Sequence, residues 1–474
     1  MSWFDTSLAV VGVVTIAYFA ILNGLYMAFT AIAWRSLGSH LRGRSYSAVE
    51  EAFNSPFTPG ITVILPAFNE AAGIVESVNS LLSLRYPSYE VVVVNDGSTD
   101  DTLQRLGSSF DLVAAHRAVR DSIATQPVQA SYVSRRNPSL WVLDKTNGGK
   151  ADALNAGVAA AKHPYVCALD ADALIETDAL LHVAAPILDD PERVIATGGI
   201  VRIANGSSID HGRVMGVQLP RNPLAILQVL EYFRAFLIGR VGWTRLNALL
   251  IISGAFGLFQ RQAIEEVGGY ATDTVGEDME LVVRLHRHYR ARRLPYRIEF
   301  VPDPVCWTEV PEDVGSLSRQ RRRWHRGLGQ TLWRHRRGVF NPRYGTFGML
   351  ALPYFVLFEF LGPVVETFGT ALTIVAFAVG DFSAASFLAF LVLAFLVAIV
   401  LSIAALALEE FNFHRHQRTR DVVSMTFFTV VENLGYRQLN DLWRVLALVD
   451  LARRKQGWGV QRRRGIGNLA TRGG

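Results

Sequence analysis

Three long apolar runs stand out in the pattern of hydrophobic and polar positions, over 8–34, 347–379 and 383–408. Each exceeds the roughly 20 residues that an α-helix needs to cross a bilayer. The first run is also longer than the ~7–15 apolar residues of a signal peptide, and no basic segment precedes it. We therefore expect a retained membrane anchor followed by a membrane hairpin.

Arginines flank these runs on one side, and basic flanks stay in the cytosol. The flanking residues are Arg35, Arg42 and Arg44 after the first run, Arg334, Arg336, Arg337 and Arg343 before the second, and Arg415, Arg418 and Arg420 after the third. The rule predicts that the first helix runs out-to-in and that the next two form an in-out-in hairpin. The region over about 45–345 is then cytosolic.

That region shows alternating strands and helices. Short continuous apolar runs at 61–65, 91–94, 140–143 and 165–169 predict buried strands, and helical spacing covers 71–84 and 150–162. Continuously apolar strands that alternate with helices favour a parallel sheet covered on both faces. Ligands of such sheets bind at the carboxyl ends of the strands. We expect a nucleotide-binding α/β unit over about 58–200.

Other segments are less regular. The polar, Arg-rich stretch 105–139 suggests a flexible or variable insertion. The amphipathic stretch 222–243 reads as a helix on the membrane surface, with an ordinary core helix as the alternative. The apolar patches 422–431 and 443–451 fit either interface helices or a short spanning pair. Glu359 and Glu366, inside the second run, are expected to face a bundle interior or a water-filled path.

Composition agrees with a mixed soluble and membrane architecture. The chain has 474 residues, of which 50% are hydrophobic, and a formal net charge of +5. Its two cysteines, Cys167 and Cys306, form no metal-ligand spacing and are expected to be small core residues.

Asp170-Ala171-Asp172 follows a predicted buried strand and is the candidate metal site. Mg²⁺ and Mn²⁺ favour carboxylate and phosphate oxygens, so a short acidic pair can join the protein to a diphosphate. The competing interpretation is an ordinary turn, where Asp-x-Asp is common.

Three further positions fit a nucleotide ligand. Lys150 starts a predicted helix, where its charge and the helix dipole both favour phosphate, although it fits an exposed surface lysine too. Asp96 ends a strand and can accept hydrogen bonds from a ribose or a base, although an Asx-turn explains it equally well. Glu70, after Pro66 and Asn69, has the same ambiguity.

Asp278 is the candidate general base. The pattern from Thr274 to Glu277 matches a capping box, which places Asp278 in the first turn of a helix beside a cleft. The alternative is that the acidic turn only complements the helix dipole.

Gln320, Arg323 and Trp324 combine an amide, a guanidinium and an indole within about one helical turn. Arginine binds diphosphates and tryptophan stacks on sugar faces. A basic helix on anionic lipid is the alternative. A nucleic-acid site is rejected, because no base-reading fold accompanies the patch.

These motifs together resemble glycosyltransferase family 2, and more narrowly its membrane-embedded processive synthases of cellulose, chitin, hyaluronan and poly-N-acetylglucosamine. The matching segments are Pro66-Ala67-Phe68-Asn69-Glu70, Asp96-Gly97-Ser98, Asn147-Gly148-Gly149-Lys150, Asp170-x-Asp172, Glu277-Asp278 and Gln320-x-x-Arg323-Trp324. The resemblance covers about 60–330 together with the membrane pattern.

The resemblance implies an α/β fold of the GT-A type (a nucleotide-diphospho-sugar transferase) plus α-helical transmembrane and interface helices. Within it, Pro66, Asn69, Glu70, Asp96, Lys150 and Asp170 would bind the donor, Asp170 and Asp172 would hold Mg²⁺ or Mn²⁺, Asp278 would be the base, and Gln320, Arg323 and Trp324 would bind the diphosphate and the acceptor end. The domains would be 1–45 (anchor), 46–310 (catalytic), 311–345 (basic interface helix), 346–410 (transmembrane hairpin) and 411–474 (C-terminal helices and basic tail).

Three features depart from the family pattern. The loop Ser253-Gly254-Ala255-Phe256-Gly257 matches the family's acceptor-side loop only loosely. Gly276 stands where the family usually has Thr before Glu-Asp, which leaves the local contacts of Asp278 open. Three spans are fewer than the cellulose and hyaluronan enzymes have, which leaves room for an accessory membrane subunit or a homo-oligomer.

The expected protein is a multi-pass enzyme of the plasma or inner membrane with a cytosolic catalytic domain. It would transfer sugar from UDP-N-acetylglucosamine or UDP-glucose to a growing β-linked glycan, with membrane lipids as its surroundings and no nucleic acid as partner. The rivals are single-sugar transfer to a lipid acceptor and a non-catalytic membrane subunit that binds nucleotide or glycan.

Overall fold

A ten-stranded mixed sheet forms the centre of the protein. A computed structural model describes residues 3–43, 53, 55, 58–171, 173–210, 213–380, 382–413 and 419–453. The strand order is β3-β4-β5-β2-β1-β6-β11-β8-β12-β7, and β9 and β10 form a separate hairpin. The strands are β1 (Ile61–Ala67), β2 (Tyr89–Asp96), β3 (Leu112–Ala114), β4 (Val128–Ser134), β5 (Leu140–Lys145), β6 (Tyr165–Leu169), β7 (Leu174–Ile175), β8 (Val194–Ile203), β9 (Ser208–Asp210), β10 (Arg213–Gly216), β11 (Phe256–Gln260) and β12 (Arg297–Thr308).

The predicted parallel strands are confirmed. β1 pairs in parallel with β2 and β6, and β2 pairs in parallel with β5. β11 runs antiparallel to both β6 and β8, so β8 points the same way as β6, and β12 runs parallel to β8. The carboxyl ends of β1, β2, β5, β6, β8 and β12 therefore share one edge of the sheet.

Helices cover both faces of the sheet, and other helices belong to the membrane part of the chain. They are α1 (Trp3–Gly43), α2 (Ile74–Leu82), α3 (Thr102–Phe110), α4 (Lys150–Ala160), α5 (Ala179–Asp189), α6 (Pro223–Phe233), α7 (Val241–Arg245), α8 (Arg261–Glu266), α9 (Glu277–Arg292), α10 (Val314–Arg334), α11 (Thr419–Val431) and α12 (Arg437–Ala452). Short 3₁₀ turns, Arg336–Gly338 and Pro342–Tyr344, follow α10.

The expectation of a flexible insertion over 105–139 is wrong. This stretch contains part of α3 and the strands β3 and β4, which extend the sheet: β4 runs antiparallel to β5, and β3 runs antiparallel to β4. β4 lies near the edge of the sheet and is only partly buried, so its sequence is polar. A half-exposed strand lacks the continuous apolar run that identified the central strands.

Among the described residues, three helices are long and apolar enough to cross a membrane: Val10–Gly38 within α1, Phe347–Ala378 and Ala384–Phe411. They agree with the three predicted runs. The second span contains the π-helical turns Phe347–Ala351, Phe355–Phe360 and Val365–Gly369 and the helical pieces Leu352–Tyr354, Gly362–Val364 and Thr370–Ala378. The third contains Ala384–Leu391, the π-helical turn Val392–Leu396 and Val397–Phe413. Pro353 and Pro363 lie in the irregular parts of the second span, where the backbone N–H that proline lacks is tolerated as a missing donor.

The two carboxylates of the second span face neighbouring helices, as expected. Glu366 pairs with Arg437 of α12 at 2.8 Å and accepts a hydrogen bond from the Tyr18 hydroxyl of α1 at 3.1 Å. Glu359 pairs with Arg444 of α12 at 3.2 Å. α11 and α12 are joined through a π-helical turn, Glu432–Tyr436, that is kinked at Gly435. α12 thus packs along the second span.

The stretch 222–243 is helical and is largely buried against other parts of the protein. It begins at Asn222, whose side chain caps α6 by accepting from the backbone N–H of Leu224 at 2.8 Å. Gln228 is fully buried and donates to the carbonyls of Leu224 and Pro311. The polar face of this helix therefore contacts protein. The amphipathic pattern of the sequence did not show whether the helix packs against protein or against a membrane surface.

Candidate active site

Loops at the carboxyl edge of the sheet gather most of the predicted donor-binding residues. Pro66 lies in β1 beside Val94 of β2. Asp96 ends β2, and Asp170 follows β6 directly. Lys150 begins α4, which comes after β5. Parallel strands that end together bring these four residues to one side of the molecule, as predicted.

Lys150 stands at the centre of an acidic group. Its Nζ lies 2.6 Å from Oδ1 of Asp170 and 3.3 Å from Oε1 of Glu277. Burial by itself disfavours the ammonium, but the charges of Asp170 and Glu277 outweigh it and raise the pKa of Lys150 above its usual range. Burial raises the pKa of Glu277, and the charge of Lys150 opposes that rise. Lys150 therefore keeps its charge and holds two carboxylates together.

Asp278 lies next to this group in the first turn of α9 and is half-buried. The backbone N–H of Gly254 donates to its Oδ2 at 3.0 Å. A Cβ built on Gly254 would lie 3.2 Å from Nζ of Lys150 and 3.3 Å from Oδ2 of Asp278, so the loop at Gly254 borders both groups. The predicted base and the predicted phosphate-binding lysine thus share one small region.

The capping box predicted from Thr274 to Glu277 is wrong. α9 begins at Glu277 with Gly276 as its N-cap, and no side chain caps it. Thr274 instead donates its hydroxyl to Oε1 of Gln330 on α10 at 3.0 Å. Tertiary packing takes the threonine away from the helix end, and Glu277 turns inward to Lys150.

Gly276 has a steric reason to be glycine. A Cβ at this position would lie 3.0 Å from Cα of Gly327 on α10, closer than ordinary van der Waals contact, so the neighbouring backbone would have to shift. The two glycines let α10 approach the start of α9 closely. A threonine, usual at this position in the resembled family, would require α10 and the start of α9 to lie farther apart.

Asp96 is fully engaged with protein groups. Its Oδ1 lies 2.6 Å from Nζ of Lys145 and accepts from the N–H of Gly148 at 3.0 Å, and its Oδ2 accepts from the N–H of Gly149 at 2.8 Å. Lys145 has a fully buried side chain that also lies 2.5 Å from Oδ2 of Asp152. Asp96 therefore anchors the glycine turn that leads to Lys150.

Asn69 and Glu70 tie the loop after β1 to the loop after β2. Asn69 has a φ of 56° and accepts from the N–H of Thr99 at 2.8 Å through Oδ1. The N–H of Glu70 donates to Oγ1 of Thr102 at 2.9 Å. Asn69 thus shapes the rim of the edge, in a backbone conformation that asparagine tolerates better than most residues.

The donor set at this edge fits a hard divalent cation only in part. Asp170 supplies carboxylate oxygens, which Mg²⁺ and Mn²⁺ prefer. Asp172, the second predicted ligand, lies outside the described residues. No group of three or more His, Cys, Asp or Glu side chains suited to a metal occurs in the part of the chain that the structure describes. Such a site therefore needs oxygens from Asp172 or from the ligand.

Gln320, Arg323 and Trp324 lie on α10, which packs against the start of α9 through Gly327 and Gln330. Trp324 is 43% exposed, so its indole is accessible to a ligand. The Arg321 guanidinium lies 4.6 Å from the centroid of the Trp324 ring and 2.8 Å from Oε2 of Glu231. Arg321, which was not predicted as a site residue, therefore fixes the indole from one side.

Lys145 and Arg240, near the site, were missed from sequence, and Gly254 was named only within a loosely matching loop. Gly254 positions Asp278, Lys145 holds Asp96, and Arg240 is a partly buried cation whose charge interacts with Asp278. Burial lowers the pKa of Arg240 to about 10, against the opposing charge of Asp278. The Arg240 guanidinium lies 3.8 Å from the Phe236 ring centroid. Its only sequence signal is a lone charge within an apolar stretch.

Comparisons with known proteins agree with this arrangement. A mannosyltransferase from Pyrobaculum calidifontis, solved in complex with GDP-Man and Mn²⁺, shares the fold with a TM-score of 0.50 at 21% identity, over 92% of this chain and 100% of that chain. The predicted GT-A type α/β fold with long apolar helices is thereby confirmed.

Among curated proteins, poly-beta-1,6-N-acetyl-D-glucosamine synthases are similar in sequence. The one from Staphylococcus epidermidis is 32% identical over 278 residues, and the one from Staphylococcus aureus (strain COL) is 32% identical over 277 residues. These matches span 58% of this chain and 56% of each relative. A family described as glycosyltransferase like family 2 matches residues 59–327, which is more than half of the chain. The chain belongs to this glycosyltransferase family, as its motifs predicted.

Proposed function

We propose that the protein is an inverting, metal-dependent membrane glycosyltransferase that polymerises a β-linked polysaccharide from a UDP-sugar at the cytosolic membrane face. The observation that carries the proposal is the cluster of Lys150, Asp170, Glu277 and Asp278 at the carboxyl edge of the sheet. In this cluster the half-buried carboxylate of Asp278 lies near the ammonium of Lys150 and the carboxylates of Asp170 and Glu277. Sugar transfer from a nucleotide diphosphate needs a base for the acceptor hydroxyl and charged groups that bind the diphosphate.

In the proposed reaction an acceptor hydroxyl attacks the anomeric carbon of the donor. The new C–O bond forms as the bond from that carbon to the diphosphate oxygen breaks, and Asp278 accepts the hydroxyl proton. A single displacement inverts the anomeric configuration. The backbone N–H of Gly254 donates to Oδ2 of Asp278 at 3.0 Å and that of Met279 donates to Oδ1 at 2.7 Å, so both oxygens are held and the orientation of the carboxylate is fixed.

The leaving nucleoside diphosphate needs positive charge. Asp170, with Asp172, would hold Mg²⁺ or Mn²⁺, which when bound supplies charge stabilisation for the diphosphate. Lys150 faces Asp170 and remains charged, so it can contact phosphate oxygens there. On this proposal Arg323 contributes a further cation, and the exposed Trp324 stacks on the sugar at the acceptor end.

The names of the similar curated proteins favour N-acetylglucosamine as the transferred sugar and UDP-N-acetylglucosamine as the donor. The three apolar helices favour synthesis at a membrane, with the product passing between membrane helices. Because the match spans only 56% of each relative, donor, linkage and product length belong to the proposal.

The test uses the full chain, purified in detergent and supplied with Mn²⁺ or Mg²⁺ and a panel of UDP-sugars. We expect UDP release with one donor, UDP-N-acetylglucosamine, and a long product by gel filtration or mass spectrometry. EDTA should abolish both. Transfer of one sugar to a lipid would replace polymerisation by the non-processive reaction, and no release with any donor would contradict the proposal.

A further inference from the structure

A cavity lies at the opposite edge of the sheet from the candidate active site. Its volume is about 780 Å³, within the roughly 300–1,000 Å³ of small-molecule pockets. The amino ends of β2 and β5 and the carboxyl end of α4 form its walls, so it lies one strand length away from Lys150. None of the predicted site residues that the structure describes lines it.

Positive charge dominates this cavity. Its lining includes the permanent cations Arg117, Arg120 and Lys162, and Glu90 is the one carboxylate among its lining residues. Arg120 and Lys162 are exposed at the rim, so their charged groups are accessible to a ligand. Three cations against one carboxylate favour an anion with more than one negative charge.

The charged groups at the base of the cavity are fixed in place. Oε1 of Glu90 accepts from Nη2 of Arg117 at 2.7 Å, from the N–H of Lys162 at 2.9 Å and from the Thr62 hydroxyl at 2.7 Å. Nε of Arg117 donates to the carbonyl of Ala160 at 2.9 Å. These groups are nearly buried and already ordered, so a ligand would meet a preformed site.

Aromatic side chains supply the remaining wall. Tyr86 and Tyr89 line the cavity, and their hydroxyls donate to the carbonyls of Pro59 at 2.7 Å and Leu82 at 3.0 Å, which holds the two side chains in place. The Arg117 guanidinium lies 4.8 Å from the centroid of the Trp141 ring. Cations beside aromatic rings suit a ligand that carries both phosphate and a ring.

One helix connects the cavity to the active site. Nη1 of Arg120 donates to the carbonyls of Ala161 at 2.7 Å and Ala159 at 3.3 Å, at the carboxyl end of α4. The same helix begins with Lys150, and almost all of it is buried. A ligand that draws Arg120 away from these carbonyls changes the contacts that fix the position of α4.

We propose that this cavity binds a ring-bearing organic phosphate and that its occupancy changes donor binding through α4. The inference does not require a particular donor or product. It concerns a surface on the far side of the sheet, and binding there is measurable without turnover.

The test titrates ADP and, separately, inorganic pyrophosphate into the detergent-solubilised full chain by isothermal titration calorimetry, with EDTA present. We expect saturable ADP binding that Arg120→Gln and Lys162→Gln each weaken at least tenfold. Arg193→Gln, an exposed arginine at the same edge but outside the cavity, is the matched control and should change the affinity less than twofold. Lys150→Gln should also leave it unchanged, because Lys150 lies at the other end of α4.

A second measurement tests the coupling to the active site. Saturating ADP should change the KM for the UDP-sugar at least threefold in the wild type, and this change should disappear in Arg120→Gln. The proposal is overturned if neither probe binds saturably, if Lys150→Gln abolishes binding while Arg120→Gln does not, or if bound ADP leaves the donor KM unchanged.

Discussion

Replacing Lys145 by methionine removes the cation that lies between two buried carboxylates. Nζ of Lys145 is 2.6 Å from Oδ1 of Asp96 and 2.5 Å from Oδ2 of Asp152, and it donates to the carbonyl of Thr146 at 2.6 Å. The lysine side chain is 0% exposed, and those of Asp96 and Asp152 are 3% and 7% exposed. Methionine keeps the volume and removes the charge, so the change isolates the ionic contribution.

The expected cost follows from what the two carboxylates retain. Breaking a buried ion pair by removing one partner costs about 3–5 kcal/mol. Asp96 keeps the N–H groups of Gly148 and Gly149, and Asp152 keeps the N–H of Gln126 at 3.1 Å. Because these donors remain, we expect the lower end, about 3 kcal/mol, which corresponds to roughly 6–12 °C in Tm for a domain of this size.

The assay is thermal unfolding of the detergent-solubilised protein, followed by tryptophan fluorescence. Lys162→Met is the matched control, since Lys162 has an exposed side chain, and its Tm should shift by less than about 2 °C, as surface substitutions usually do. The Lys145→Met protein should also show a raised KM for the donor, since Asp96 anchors the glycine turn before Lys150. A Tm for Lys145→Met that equals the control would refute the assignment of this cluster as a structural anchor.

Three further predictions test other parts of the structure. Gly276→Ala places a Cβ 3.0 Å from Cα of Gly327 and should destabilise the folded protein by about 1–3 kcal/mol. Gly107→Ala in α3, where a Cβ would have nothing within 4 Å, is the control and should not destabilise it. Equal Tm values for the two variants would contradict this packing. Burial raises the pKa of Glu90, but Arg117, the N–H of Lys162 and Thr62 lower it further, to below the ordinary 4.5. The stabilisation by Glu90 is therefore present above pH 4.5 and lost as pH falls through the folded pKa, so the Tm difference between wild type and Glu90→Gln should shrink from pH 7 to pH 4, and a constant difference would refute it. Burial raises the pKa of the Cys167 thiol, and Cys306 is buried as well. N-ethylmaleimide, followed by mass spectrometry, should therefore label neither cysteine in the folded protein and both in denaturant. Full labelling of the folded chain would contradict the placement of the two cysteines in the core.

The central strands and the site edge could be predicted because their physical signals are local. Continuous apolar runs such as that of β2 mark strands buried on both faces, and polar residues directly after them mark the carboxyl edge. Asp96, Lys150 and Asp170 were found in this way. The three spans follow equally from length and the absence of charge.

The remaining features depend on contacts between distant segments. Thr274 matched a capping box, but Gln330, from a helix over fifty residues later, takes its hydroxyl. The local sequence gives Lys145 no partner, and only the folded chain brings Asp96 and Asp152 to its ammonium. β4 was missed because a half-exposed strand near the sheet edge has no continuous apolar run. Gly276 likewise became interpretable only with Gly327 beside it.

The most direct test of the central claim compares Asp278→Asn with the wild type in two separate measurements, UDP release and UDP binding. If Asp278 is the base that takes the proton from the acceptor hydroxyl, the rate of UDP release by Asp278→Asn should fall about 10²–10⁴-fold. The affinity of this variant for UDP should stay within about twofold of the wild type, because the base acts on the acceptor hydroxyl and not on the nucleotide. Asp121→Asn, the same change at an exposed position, serves as the control and should alter neither quantity. UDP release by Asp278→Asn at the wild-type rate would contradict the assignment of this carboxylate and the proposed mechanism with it.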